Sequence, residues 1–110
     1  MDKQLKELKC EPCNGGVAAM TAAEAQDYHK HVNGAWQLAD DAKSIHRRFK
    51  FKNFAKTMFF VNALANLADK EGHHPDVKFG YNYCEVLFTT HEAGGLTIND
   101  YICAKKVDLL

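Results

Sequence analysis

From residue 21 onward the chain alternates apolar stripes with Gly, Pro and Asn breaks, and the spacing of the stripes predicts seven elements. Thr21-Ala-Ala-Glu24 has the form of a capping box and opens a helix to about Val32, where Asn33-Gly34 stops it. Trp36 to Leu38 reads as a short strand, and Asp40-Asp41 as a turn. Ser44 to Phe51 alternates, with Ile45, Phe49 and Phe51 on one face and His46, Arg48 and Lys50 on the other. This is a half-buried strand with a wet side, as in antiparallel sheets. Arg47 interrupts its apolar face. After Asn53, a natural N-cap, the residues Phe54, Met58, Val61, Leu64, Ala65 and Ala68 recur at helical spacing, and Phe59, Phe60 and Leu67 widen the stripe until Gly72 ends it. This longest element is expected to carry most of the core. Val77 to Tyr81 and Cys84 to Thr90 read as strands joined by a turn near Asn82-Tyr83. Gly94-Gly95 is a turn, and Thr97-Ile-Asn-Asp100 is a second capping box that opens a last helix to about Lys106. The order α-β-β-α-β-β-α, two hairpins separated by a helix, predicts an α+β sandwich: one antiparallel sheet with helices on one face.

Composition narrows the function classes. The chain has 110 residues, enough for one domain that buries about 65% of its unfolded surface. A single domain over 1–110 is expected, with a leader over 1–20 and a core over 21–106. Hydrophobic residues at 46% and charged residues at 25% exclude disorder as the main reading. Lys plus Arg equals Asp plus Glu at 14 each, so there is no global field to attract nucleic acid or an anionic membrane. No apolar run approaches the roughly 18–20 residues that span a bilayer. Met1 to Lys9 is charged and lacks the apolar stretch of a signal peptide, which leaves the cytosol as the expected compartment. Cys10-Glu11-Pro12-Cys13 has the spacing of a redox or zinc half-site, but no second ligand pair follows and the pair precedes any predicted element. Its plain reading is a folded-back leader whose thiols pack against the domain, with Cys84 and Cys103 in the core.

Six histidines are more than a chain this long ordinarily carries. His29 and His31 lie on the first helix and are expected at the surface, and His46 lies on the polar face of a strand. The other three cluster at element boundaries. His73 and His74, followed by Pro75, join the long helix to a strand, and His91 ends the next strand before Glu92-Ala93-Gly94-Gly95. The intervening hairpin returns the chain toward its start, so His91 can come back to His73 and His74. Pro75 holds His74 out of the helical conformation. Imidazole titrates near neutrality, so one ring can accept a proton while another donates one, as an elimination requires. Spacing alone leaves three readings open: solvated loop histidines, an acid–base site, and a three-histidine metal site.

The segments Asp69-Lys-Glu-Gly-His73-His74-Pro75, Tyr81-Asn82, Thr89-Thr90-His91-Glu92, Gly95-Leu96-Thr97 and Asp100 resemble the signature of pterin-4a-carbinolamine dehydratases. The likeness extends back through the long helix, Phe49-Lys50-Phe51-Lys52-Asn53-Phe54 and Trp36, and covers about residues 21–106; the leader resembles that of bacterial members. The resemblance implies a four-stranded antiparallel sheet with three helices on one face. It implies dehydration of 4a-hydroxytetrahydrobiopterin, or a related bacterial pterin, to the quinonoid dihydropterin and water, recycling the cofactor of aromatic amino acid hydroxylases. No metal or organic cofactor is implied. His73 and His91 match the main acid–base positions, and His74 the position that binds and orients the pterin. Asp69, Gly72, Thr89, Thr90 and Glu92 match positions lining the substrate pocket. A homodimer or homotetramer is implied, with a hydroxylase as a further partner. The alternative is a non-enzymatic interaction protein, since relatives serve as a dimerisation cofactor or an assembly factor. One position departs from animal members: Val77 stands where they carry tryptophan.

Overall fold

The computed structural model describes residues 5–11 and 18–110. It contains α1 (Ala22–His29), β1 (Gln37–Leu38), β2 (Ile45–Lys50), α2 (Phe54–Glu71), β3 (Asp76–Gly80), β4 (Tyr83–Phe88) and α3 (Ile98–Val107), with single 3-10 turns at Leu5–Glu7 and His91–Ala93. The strands form one antiparallel sheet in the order β1-β2-β4-β3. This is the expected α+β architecture, and each predicted element forms within a few residues of its expected bounds.

The caps explain the boundaries. Thr21 and Glu24 close a capping box at α1, and Thr97 and Asp100 close another at α3. The Asn53 side chain accepts from the Lys56 N–H and starts α2. At the other end Gly72 takes the left-handed conformation at φ 66°, its N–H donating to the Asp69 carbonyl while the His73 N–H donates to that of Ala68. That is a Schellman closure, which favours glycine because a Cβ is strained there.

Alternation on β2 and β4 sends Ile45, Cys84, Val86 and Phe88 into the core and leaves His46, Arg48 and Lys50 on the open face. The core is completed by Trp36, Leu64, Leu96, Tyr101, Ile102 and Val107. Two expectations are corrected here. First, α2 does not carry most of the core. Only Thr57, Leu64 and Ala68 of α2 are buried, Phe59 is 68% exposed, and the shorter α3 has seven buried residues. The reason is position: α3 is packed on by the leader, by α1 through Tyr28 and His29 against Tyr101, and by α2, whereas α2 has one face in solvent. Second, His29 is not a surface residue. It is half-buried, with Nε2 on the Trp36 carbonyl at 2.8 Å and Nδ1 on the Tyr101 hydroxyl at 3.1 Å. Arg47, which interrupts the apolar face, sits in the regular β2 register opposite Val86. Its guanidinium meets Asp108 at 2.7 Å and lies over the Phe49 ring, so a charge on the core face is paired where it stands.

The described part of the leader, residues 5–11, packs back on the domain. Leu5 is buried, and the Cys10 Sγ lies 3.4 Å from that of Cys103. Cys13 lies outside the described residues. Cys84 and Cys103 are buried, as their apolar surroundings in the sequence suggested.

Candidate active site

The Schellman turn at Gly72 reverses the chain and aims His73 inward. Its imidazole is 11% exposed and lies parallel to the Phe88 ring, centroids 5.9 Å apart and planes 8° apart. Its Nε2 meets the Asp100 carboxylate at 2.6 Å. Asp100 is fully buried, and its other oxygen accepts from the Thr90 hydroxyl at 2.8 Å and the Thr97 N–H at 3.0 Å. The carboxylate therefore does two things: it caps α3, and it holds the His73 ring. Because a carboxylate oxygen accepts, neutral His73 carries its proton on Nε2 and leaves Nδ1 as a free base.

Thr90 links this network to the third histidine. Its hydroxyl also meets that of Thr97 at 2.9 Å, and its backbone pairs with Gly95, closing the small loop that carries His91. Gly94, left-handed at φ 76°, lets that loop turn. Thus His73, Asp100 and Thr90 form one hydrogen-bonded chain, and His91 is the residue next to its end. The His91 side chain is exposed and makes no hydrogen bond among the described residues.

His74 points outward. It is 63% exposed and meets Asp69, one helical turn back on α2, through Nε2 at 2.9 Å. Both residues border an apolar groove of about 260 Å³ between α2 and β3, lined by Leu64, Ala68, Val77 and Phe79. A wider hollow of about 560 Å³ lies over the open sheet face, lined by His46, Arg48, Lys78 and Glu85; none of His73, His74 and His91 borders it.

The expected pocket residues take different positions. Asp69 pairs with His74, and Gly72 sets the turn before His73. The Thr89 hydroxyl donates to the Lys43 carbonyl at 2.6 Å and ties the end of β4 to the turn before β2. Thr90 is 1% exposed with its hydroxyl engaged inward, and Glu92 is exposed. Among the described residues no three His, Cys, Asp or Glu side chains gather as a metal-binding group. Sequence reasoning saw Asp100 as a helix cap and as part of a signature but not as the partner of His73, and it did not place Phe88 at the site. An acid at the third position of a capping box, behind a predicted strand end rich in Thr and His, was the available signal.

Residues 18–110 match the family described as pterin 4 alpha carbinolamine dehydratase. A Nitrosomonas eutropha protein, provisionally named a pterin-4-alpha-carbinolamine dehydratase, is 51% identical over 106 residues, 96% of this chain and 92% of its own length. A similarly named protein of Legionella pneumophila strain Corby is 46% identical over 110 residues, all of this chain and 97% of its own. Among solved structures, a Brucella melitensis protein described as a transcriptional coactivator/pterin dehydratase superimposes with a TM-score of 0.77 at 32% identity, covering 83% of this chain and 96% of that one. A pterin dehydratase-like protein identified as a RuBisCO assembly factor of the alpha-carboxysome gives 0.61 at 27% identity, covering 72% and 94%. The family model spans residues 18–110 and the relatives match nearly the whole chain, and the chain belongs to the pterin 4 alpha carbinolamine dehydratase family.

Proposed function

We propose that the chain dehydrates a 4a-hydroxytetrahydropterin of the tetrahydrobiopterin type to the quinonoid dihydropterin and water. The observation that carries this reading is the buried Asp100, which fixes the His73 ring and is tied through Thr90 to the loop bearing His91. In the reaction the C4a–O bond breaks and the oxygen leaves as water with a proton from a protonated imidazole. A second imidazole takes the N5 proton, and the electron pair left behind becomes the C4a=N5 double bond. His73 and His91 are the pair we assign to these transfers, each interchangeable in role. His74, steadied by Asp69, binds and orients the heterocycle, with Gly72, Thr89, Thr90 and Glu92 shaping the surrounding turns. The chemistry draws on imidazoles alone, without a metal or organic cofactor.

Positioned proton transfer contributes roughly 10²–10⁴-fold to rate. His73→Ala and His91→Ala are each expected to lower kcat at least 100-fold in an absorbance assay of carbinolamine dehydration. Losses within about threefold of the parent protein for both variants would defeat the assignment.

The cell context we infer is recycling of the pterin cofactor of an aromatic amino acid hydroxylase in the cytoplasm. What supports it is the family and the absence, among the described residues, of any helix long and apolar enough to cross a membrane. Self-association is part of this reading. β3 is an edge strand with Val77 and Phe79 exposed, and α2 exposes Phe59, so edge pairing and helix packing each offer a route to a homodimer or homotetramer.

A second reading, an interaction protein without catalysis, is favoured by the descriptions of the two structural neighbours, a coactivator and an assembly factor. The same assay separates the two: a protein with no carbinolamine-dependent absorbance change is an interaction module.

A further inference from the structure

The reaction makes no use of two thiols that meet away from the histidine site. Cys10 Sγ and Cys103 Sγ lie 3.4 Å apart and share a hydrogen bond, and Cys10 Sγ also meets the Asn99 carbonyl at 3.6 Å. The contact is held from both sides. Before it, Leu5 is buried against the core. At it, the Cys10 N–H donates to Glu71 Oε1 at 3.0 Å. After it, Glu11 and Asn99 exchange two hydrogen bonds, backbone N–H to Oδ1 at 3.0 Å and Nδ2 to backbone carbonyl at 2.7 Å. Two sulfurs already in van der Waals contact need close by only about 1.4 Å to reach bonding distance.

We propose that Cys10 and Cys103 form a reversible intramolecular disulfide, made by exchange with a low-molecular-weight disulfide, which fastens the leader to α3. In the first step the Cys10 thiolate attacks one sulfur of the small disulfide, and one small thiolate leaves. In the second step Cys103 attacks Cys10 Sγ, and the other small thiolate leaves. The two protons of the protein thiols end on the two released thiols; the protein pair is oxidised by two electrons and the small disulfide is reduced. Access fixes the order: Cys10 is half-buried and meets the reagent, while Cys103 is 1% exposed and resolves the mixed disulfide. The hydrogen bond to Cys103, together with burial, pushes the Cys10 thiol far above its ordinary value, so the exchange is slow at neutral pH and accelerates in base.

The bond would close a span of 93 residues, and a loop that long removes much freedom from the unfolded chain. The competitor is a Cys10–Cys13 bridge, which the C-x-x-C spacing allows. The proposal stands apart from the dehydratase reading, since its readouts are linkage and melting.

The test incubates the full chain with millimolar oxidised glutathione for up to a day in a series from about pH 7.5 to about pH 9, because a thiol held above its ordinary value exchanges slowly, in the parent protein and in the Cys13→Ser and Cys10→Ser variants. The expected result is a non-reducing peptide map with Cys10 joined to Cys103 in the parent and in Cys13→Ser. Oxidised Cys13→Ser should melt more than about 5 °C above its reduced form. Cys10→Ser should show neither linkage nor shift. A Cys10–Cys13 link in the parent with none in Cys13→Ser, a glutathione adduct that persists on Cys10, or no reaction at Cys10 would each overturn the proposal.

Discussion

Asp100 shows how one side chain can bind two kinds of structure together. Its carboxylate caps α3 through the Thr97 N–H, accepts the Thr90 hydroxyl and holds His73 Nε2, all without solvent. Asp100→Asn presents an amide where the ring needs an acceptor, so the tautomer is no longer fixed. A carboxylate that sets the tautomer of a catalytic imidazole supports a proton transfer worth roughly 10²–10⁴-fold, and an amide in its place forfeits part of that. We expect kcat to fall 10–100-fold, with a loss of about 1 kcal/mol in urea unfolding from the weakened cap; an unchanged kcat would show that the ring needs no such partner. Asp108 is a second such residue. It meets Arg47 and takes the Trp36 indole N–H at 2.8 Å, and it is about one-tenth exposed. Asp108→Ala leaves a guanidinium and an indole without their acceptor, and should cost about 3 kcal/mol, read from the urea midpoint. Neither partnership could be read from local sequence, because Arg47 and Asp108 are 61 positions apart and His73 and Asp100 are 27 apart. The same distance problem hid the burial of His29.

At the scale of elements, the boundary between α2 and β3 decides the site. Gly72 is left-handed with open space around the position of a Cβ, so the cost of Gly72→Ala is conformational and not a clash. We expect about 1–2 kcal/mol of destabilisation by urea unfolding, and a drop in kcat because His73 leaves the turn at a different angle. A stability loss with kcat untouched would mean that the turn does not aim the ring. Here the sequence was informative: capping boxes, the Asn53 cap and the Gly72 stop are local chemistry, and they set the starts of all three helices and the end of α2, whereas α1 ends at His29, short of the expected Asn33-Gly34 stop. The hydrophobic stripe of α2 was less informative. It marks a helix with several apolar faces, and only packing determines which face the domain covers.

For the whole molecule, burial of ionisable groups sets the pH range of stability. Burial first, and then Asp100, raises Tyr101 from its ordinary value of 10.0 to about 12; burial first, and then Glu85, raises Cys84 from 9.0 to about 11. In each case the folded state keeps a proton that the unfolded chain releases. The contribution of these two groups is therefore full below about pH 9 and is lost as pH rises toward 12. Glu71 behaves oppositely. Burial would raise it, but the hydrogen bonds from Lys106 and the Cys10 N–H prevail and lower it, so its contribution is present at neutral pH and is lost in acid. A urea-midpoint series should fall on both sides of neutrality; a midpoint unchanged from pH 7 to 11 would mean that Tyr101 and Cys84 open without global unfolding. The exposed apolar edge is the other whole-molecule feature. Phe79→Lys on β3 should lower the mass found by light scattering if that edge joins protomers, and leave it unchanged if only α2 does.

The sequence alone determined the order of elements, the antiparallel sheet, the helix caps and the set of histidines, because each depends on period, capping or turn chemistry within a few residues. The tertiary structure decided what those signals cannot carry. It made α3 the central helix, turned His29 inward, paired Arg47 with Asp108, brought Cys10 to Cys103, and set Asp100 between His73 and Thr90. Each of these rests on a contact between distant segments, and such contacts are chosen by the packing of the whole chain.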